Sequence, residues 1–244
     1  MLWKKLIRFG FRLLYNELAW TYDAVSWLVS LGDWRSWQQA ALPFVLGPDV
    51  LEIGHGPGHM LLALRQAGFR VVGLDLSPYM GRQAQKRLGG GHALSGVEGD
   101  VPLIRGDVLA LPVKTAVFDT VLSTFPTDYI IDPTVLLNVN RVLRENGRFI
   151  IVPEGHLTGR SLLHRFIEWL YAITGQRAGP FVVDKADNWP DHPVWQKMVE
   201  RFIAAGFHLE MEQIHLPRSA VTILTAHKGV GSTPFRLIQS EPEE

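Results

Sequence analysis

Three glycines at alternate positions, Gly54, Gly56 and Gly58, follow directly on a short run, Val50-Leu51-Glu52-Ile53. Glycine suits a tight backbone path that a ligand must approach closely, because a Cβ blocks both. One acid, Glu52, stands two residues before the first glycine, and two more, Asp75 and Asp107, lie downstream. A glycine turn between strand and helix offers backbone to a nucleotide. An acid about twenty residues later is placed to accept both hydroxyls of a ribose. The spacing is not that of the dinucleotide fingerprint G-x-G-x-x-G, because the third glycine comes one residue early and His59 stands where the last should be. The chemistry indicated is the binding of a nucleoside cofactor.

Strand and helix must alternate to position these residues. Val50 to Ile53 reads as a buried strand, and Met60 to Arg65 as the start of a helix that Gly68 stops. Arg70 to Asp75 is a near-continuously apolar second strand, as in a buried parallel sheet. Ser77 is placed to cap the next helix, with Pro78 at its first position. Leu88 to Gly99 is a glycine-rich loop. Val101 to Arg105 and Val117 to Ser123 are the third and fourth strands. Asp132-Pro133 opens a helix through Arg144, and a glycine turn at Gly147 leads into a fifth strand ending at Val152. Val194 to Ala205 is a helix ended by Gly206. Phe207 to Glu212 and Ala220 to His227 are two strands able to pair as a terminal hairpin. In an open α/β sheet, ligands sit outside the carboxyl ends of the strands. Gly54 to Gly58, Asp75, Asp107 and Ser123-Thr124 all fall at such ends.

Composition narrows the partners. Apolar residues make up 47% of the 244, enough for a sizeable core. The net charge of +0 argues against a nucleic-acid footprint. There is no cysteine, hence no disulfide or thiolate metal site, and the histidines and acids show no zinc-like spacing. No run approaches a transmembrane length, and charges interrupt the N-terminal apolar residues where a signal peptide would have a clean core. A cytoplasmic protein is expected. Residues 1–46 are expected to form an N-terminal helical arm and, by resemblance to known enzymes, a cleft cap; 47–228 the main domain with a lid-like insertion at 153–193; and 229–244 a polar tail. The arm has helical periodicity from Leu2 to Trp20. Trp3 and Phe9 lie on its apolar side, and Lys4, Lys5, Arg8 and Arg12 in a basic sector, as in helices that dock on anionic membranes. A helix packed on its own domain would share the pattern. The insertion carries an apolar helix (Leu162 to Ile173) and a loop with Phe181, Trp189 and His192.

The E-x-G-x-G-x-G pattern of Glu52 to Gly58 resembles motif I of the class I S-adenosylmethionine (SAM) methyltransferases. Gly73-Leu74-Asp75-Leu76-Ser77-Pro78 with Met80 is similar to the same family. Tyr22-Asp23, Ser30, Gly32, Arg35 and Trp37, together with Arg141 to Val152, resemble the ubiquinone/menaquinone C-methyltransferases and the type 11 methyltransferases. The resemblance implies an α/β, Rossmann-like fold: a seven-stranded, mostly parallel sheet with helices on both faces and an antiparallel final strand. It implies SAM as cofactor, held by Glu52, Gly54, His55, Gly56, Gly58, Asp75, Leu76, Asp107, Val108 and Ser123. Asp107 would accept from the adenine amino group, and Val108 and Leu109 suit a flat apolar ring. The acceptor side would draw on Tyr22, Asp128, Tyr129, His156 and His192. The loop from Thr124 to Tyr129 lacks the Arg-Asn pair of the quinone enzymes.

Methyl transfer from a sulfonium is an in-line displacement that needs mainly alignment, exclusion of water and a deprotonated acceptor. No catalytic residue is therefore assigned. His156, His192, Asp128 and Tyr129 are the candidate bases. The expected acceptor is small and lipophilic, quinone-like or phospholipid-like, met at the inner face of a membrane through residues 1–20. The alternatives are a nicotinamide oxidoreductase, disfavoured by the glycine spacing, and a non-catalytic membrane-associated protein that kept the fold.

Overall fold

Val50, Leu51, Glu52 and Ile53 are all fully buried, as a parallel strand covered on both faces must be. In the computed structural model, which describes residues 22–89, 101–158, 193–229 and 235–238, they belong to β1, Asp49–Ile53. The strand pairs in parallel with β2 (Arg70–Asp75) on one side and β4 (Phe118–Thr124) on the other. Beyond β2 lies the short β3 (Leu103–Arg105), and beyond β4 lies β5 (Leu143–Val152). The hairpin expected near the C-terminus is present and longer than read, as β7 (Phe207–Leu216) and β8 (Ser219–Lys228). β8 runs antiparallel to β5, so the order is β3-β2-β1-β4-β5-β8-β7.

Two short strands extend the expected seven, giving a nine-stranded sheet among the described residues. β6 (Gly155–Leu157) pairs with the start of β8, where the insertion was expected to begin as a lid. β9 (Phe235–Ile238) pairs in parallel with β7. It corrects the reading of 229–244 as a polar tail. The Phe235 ring meets the buried Trp195 at 5.3 Å and 73°, an edge contact that the polar surroundings of Phe235 conceal in the sequence.

Six helices are described: α1 (Tyr22–Ser30), α2 (Trp34–Gln39), α3 (His59–Gln66), α4 (Pro78–Gly89), α5 (Pro133–Val142) and α6 (Pro193–Ala204). α3 follows β1, and α4 follows β2 with its Met80 amide donating to Ser77 Oγ. α5 starts at its Asp132 cap and packs with α6 on the opposite face. The turn expected between helix and fifth strand is a bulge inside β5. Leu143 pairs with Phe118 and Arg148 with Thr120, and Asn146 takes φ +62° between them. Residues 1–21, 90–100, 159–192 (His192 among them), 230–234 and 239–244 lie outside the described residues, as does the side chain of Tyr22.

The cap segment is part of the core. Trp37 is 1% exposed and its indole donates to Ser219 Oγ at 2.9 Å, which in turn donates to Asp33 Oδ2 at 2.8 Å. The indole lies so close over Gly155 that a Cβ there would run into it. Gln38 donates to Thr124 Oγ1 at the end of β4. The cap is thereby stitched to β4, β6 and β8. Trp37→Ala should lower stability by about 3–5 kcal/mol, as for other buried aromatics. Urea unfolding checks it, and a loss near zero would show that the cap is an appendage.

Candidate functional site

The three glycines after β1 do three different things. At Gly54 (φ +68°) a Cβ would come within 2.6 Å of the Tyr129 hydroxyl. At Gly58 (φ +82°) it would meet the Cβ of Ala84 at 2.9 Å, so this glycine lets α3 start hard against α4. At Gly56 (φ +53°) nothing lies within 4 Å, and the backbone is open to a ligand. The left-handed φ at each position favours glycine independently of space.

Asp75 ends β2 and pins this turn. Its Oδ2 accepts from the Gly56 amide at 2.9 Å and its Oδ1 from the Ser77 amide at 2.7 Å. Each oxygen keeps a second acceptor site, so two vicinal hydroxyls could still be held. The Gly54 amide donates to Leu74 O at 2.7 Å. His55 is buried, and its Nδ1 lies 2.7 Å from Gly56 O, which fixes the proton on Nδ1 because a carbonyl only accepts. Burial pushes the His55 imidazole pKa down, against the opposing pull of Asp75 and the Gly56 carbonyl.

Glu52 is fully buried, and neither carboxyl oxygen has a hydrogen-bond partner. The Leu61 amide faces it without closing a hydrogen bond. Burial first, and then the negative charge of Asp75, hold its carboxyl well above the usual carboxylate range. A buried acid left without a partner in a well-packed strand is the kind of exception that function explains more readily than folding.

At the end of β3, Asp107 is exposed, and its Oδ1 accepts from the Leu109 amide at 2.9 Å, capping the short turn Val108–Ala110. Val108 is half-buried. Leu109 and Leu76 are 46% and 63% exposed, and the Gly106 amide reaching Asp75 O ties the two loops together. Two exposed leucines beside an exposed carboxylate could hold a flat ring bearing an amine. Ser123, by contrast, is fully buried and donates to Ile53 O at 3.0 Å, so its hydroxyl joins β4 to β1.

On the acceptor side the predicted residues disperse. Tyr129 reaches the glycine turn, as its hydroxyl over Gly54 shows. Asp128 is exposed at the start of a short turn, Asp128–Ile131. His156 sits on β6 beside Gln213, and β6 pairs with β8, which is not a neighbour of β1. Phe125, with φ +51°, folds the chain back from β4 and meets the Trp34 ring at 4.0 Å between centroids, tilted by 34°. A cleft of about 260 Å³ between α2 and α3, lined by residues such as Arg35, Gln39, His59 and Ala63, contains none of Gly54, Gly56, Asp75 or Asp107.

A family model for a methyltransferase domain matches residues 51–151. A demethylmenaquinone methyltransferase of Thermobifida fusca is 30% identical over 183 residues, covering 73% of this chain and 73% of its own. Another, of Clavibacter sepedonicus, is 29% identical over 230 residues, covering 89% and 88%. The crystal structure of a SAM-dependent methyltransferase from Methanosarcina mazei aligns with a TM-score of 0.53 at 18% identity, covering 78% of this chain and 97% of that one, and speaks for the fold. The chain belongs to the class I SAM-dependent methyltransferases. The nicotinamide alternative is set aside by that membership.

For a methyltransferase of this class, the contact that residue spacing could not show is a latch on the glycine turn. Asp23 of α1 accepts from His59 Nε2 at 2.8 Å and from Arg87 Nη2 at 2.6 Å, and Arg87 also donates to Pro57 O. The partners are 36 and 64 residues from Asp23 in sequence. Burial alone would raise the Asp23 pKa; the His59 hydrogen bond and the neighbouring cations more than offset it, and the net shift is downward. Burial keeps His59 below its ordinary value despite Asp23, so the ring meets the carboxylate as a neutral donor.

Glu52 gives a pH test. The folded chain holds its proton above the ordinary value of 4.5, while the unfolded chain releases it there. Its contribution to stability is therefore complete below that value and declines as pH rises through the folded pKa. Glu52→Gln should match the wild type in urea midpoint at about pH 4 and exceed it at about pH 8. Parallel midpoints at both pH values would show that Glu52 is not a buried neutral acid.

Proposed function

We propose that this methyltransferase transfers a methyl group from SAM to a small, lipophilic, quinone-like acceptor at a membrane surface. The observation that carries the cofactor half is the pairing of an open Gly56 backbone with the Asp75 carboxylate, beside the buried, unpartnered Glu52 acid. SAM supplies a methyl group already activated by positive charge, so the residues need to bind, orient and keep water out. On this reading Asp75 accepts the ribose hydroxyls, and Asp107 the adenine amine between Leu76, Val108 and Leu109. Glu52 answers the donor's cationic end across the turn. Ser123 acts by holding β4 against β1.

The acceptor half is supported by the names of the relatives, which include demethylmenaquinone methyltransferases and a ubiquinone/menaquinone biosynthesis C-methyltransferase of Roseobacter denitrificans, 25% identical over 209 residues. Trp34 of α2 and Phe125 just past β4 would give a flat ring an aromatic wall, and the Tyr129 hydroxyl lies over Gly54 of the glycine turn. No helix among the described residues is long and apolar enough to cross a membrane. On this reading residues 1–20 dock reversibly on the bilayer in which the acceptor is dissolved.

Asp75→Ala should weaken SAM binding by about 1.5–3 kcal/mol, the range for hydrogen bonds to a charged partner. Calorimetric titration with SAM reads it directly, and labelled SAM with a short-chain demethylmenaquinol reads the transfer. Unchanged SAM affinity in a folded variant would remove Asp75 from the cofactor site. Label that never enters the quinol would remove the acceptor.

A further inference from the structure

Helix α1 is inside out. Ser26 and Ser30 are its buried residues, at 6% and 0% exposure, and Ser30 Oγ donates to Ser26 O at 2.6 Å. Asp23, on the same side, is held by His59 and Arg87. The outward face carries Ala24, Val25, Trp27 and Leu28, all exposed, with Trp27 at 62% and Leu28 at 55%. A surface helix of a water-soluble domain ordinarily has the reverse arrangement. The helix cannot roll over to hide this face, because its polar side is fastened to the glycine turn and to α2, where the Trp34 amide donates to Ser30 Oγ.

From this geometry we infer that the outward face of α1 is a lipid-docking surface that lays the rim of the active site on an anionic bilayer. Three observations select a bilayer over a protein partner. Four side chains on one nine-residue helix fall well short of the roughly 1,200–2,000 Å² that a stable protein interface buries, whereas shallow insertion of a Trp and a Leu needs no such area. Tryptophan beside leucine is the composition of membrane interfaces. The chain entering α1 carries Lys4, Lys5, Arg8 and Arg12, and just past its end Arg218, 71% exposed, is tied to Asp33 at 3.1 Å. The sequence leading into α1 thus supplies basic residues suited to anionic headgroups. The inference deepens the lipophilic-acceptor reading and takes its purpose from it. α1 is latched to the glycine turn, so docking through it sets the reaction cleft at the bilayer surface.

The chain has no cysteine, so one introduced thiol carries a unique probe. Leu28→Cys in the full chain, labelled with a polarity-sensitive dye, should blue-shift on vesicles of phosphatidylglycerol and phosphatidylcholine. Nitroxide lipids should quench it. The same dye on Leu137→Cys, at an exposed site of α5 on the opposite face, should do neither. Replacing Val25, Trp27 and Leu28 together by serine should cut vesicle partitioning at least about tenfold. SAM affinity and methyl transfer to detergent-dispersed demethylmenaquinol should be unchanged. Serine-variant partitioning equal to wild type overturns the inference. So does a dye at position 28 that is shielded in the free protein and unquenched on vesicles, which would mean that the chain's own residues cover α1. Transfer to dispersed quinol without vesicle binding sinks the docking surface and leaves the acceptor reading standing. Vesicle binding without transfer does the opposite.

Discussion

One carboxylate organises the carboxyl edge of the sheet. Asp75 takes the Gly56 amide on one oxygen and the Ser77 amide on the other, so a single side chain fixes both the turn after β1 and the start of α4. It can do so because β1 and β2 are in parallel register, Ile53 opposite Leu74, which brings their carboxyl ends level. Leu74 O completes the hold by accepting from Gly54. The turn is thus held from the neighbouring strand as well as by its own hydrogen bonds. That neighbour exists only because α3 crosses over and returns the chain in parallel. The glycine spacing, the crossover and the acid form one device, and none of the three is useful alone.

The device is costly to fold around. Glu52 is buried without a partner and Phe125 holds a left-handed φ, strain of the kind worth about 1–3 kcal/mol for such backbone. Proteins tolerate such features where function needs them and the surroundings over-determine the geometry. Here the surroundings are the cap. Trp37, Gln38 and Asp33 tie α2 and its flanks to β4 and β8, and Asp23 ties α1 to the glycine turn. The latch holds the turn from solvent's side while Asp75 holds it from the sheet's. A turn gripped from both sides is pre-organised, so less ordering is left for ligand binding to supply.

Much of this was legible in the residues. Glycine spacing, the acid after the second strand and the Ser77-Pro78 helix start are local signals, and each element lies where they put it. The reading of 229–244 as polar tail failed because β9 is four residues long and its pairing with β7 is long-range. β6 was invisible for the same reason, being three residues long. Ser123 shows a subtler gap: its place at a strand end was readable, but not that Ile53 O claims its hydroxyl. The latch combines an acid, a histidine and an arginine from three separated helices. Nothing in the local pattern around Asp23, His59 or Arg87 marks them as partners.

Helix α1 shows how a tertiary contact can invert a periodicity argument. From sequence, the side with Val25, Trp27 and Leu28 is the one a helix should bury. In the fold, the inner side is set by what α1 must touch, and that is polar: the His59 and Arg87 side chains that flank the glycine turn. Asp23 therefore points inward, and the 100° step per residue brings Ser26 and Ser30 in behind it. The same step turns Trp27 and Leu28 out. A chain that only needed a soluble cap could have polar residues at those two positions without disturbing the latch. That they are tryptophan and leucine means the outward face is not a by-product of the inward one, and it must answer to an environment of its own.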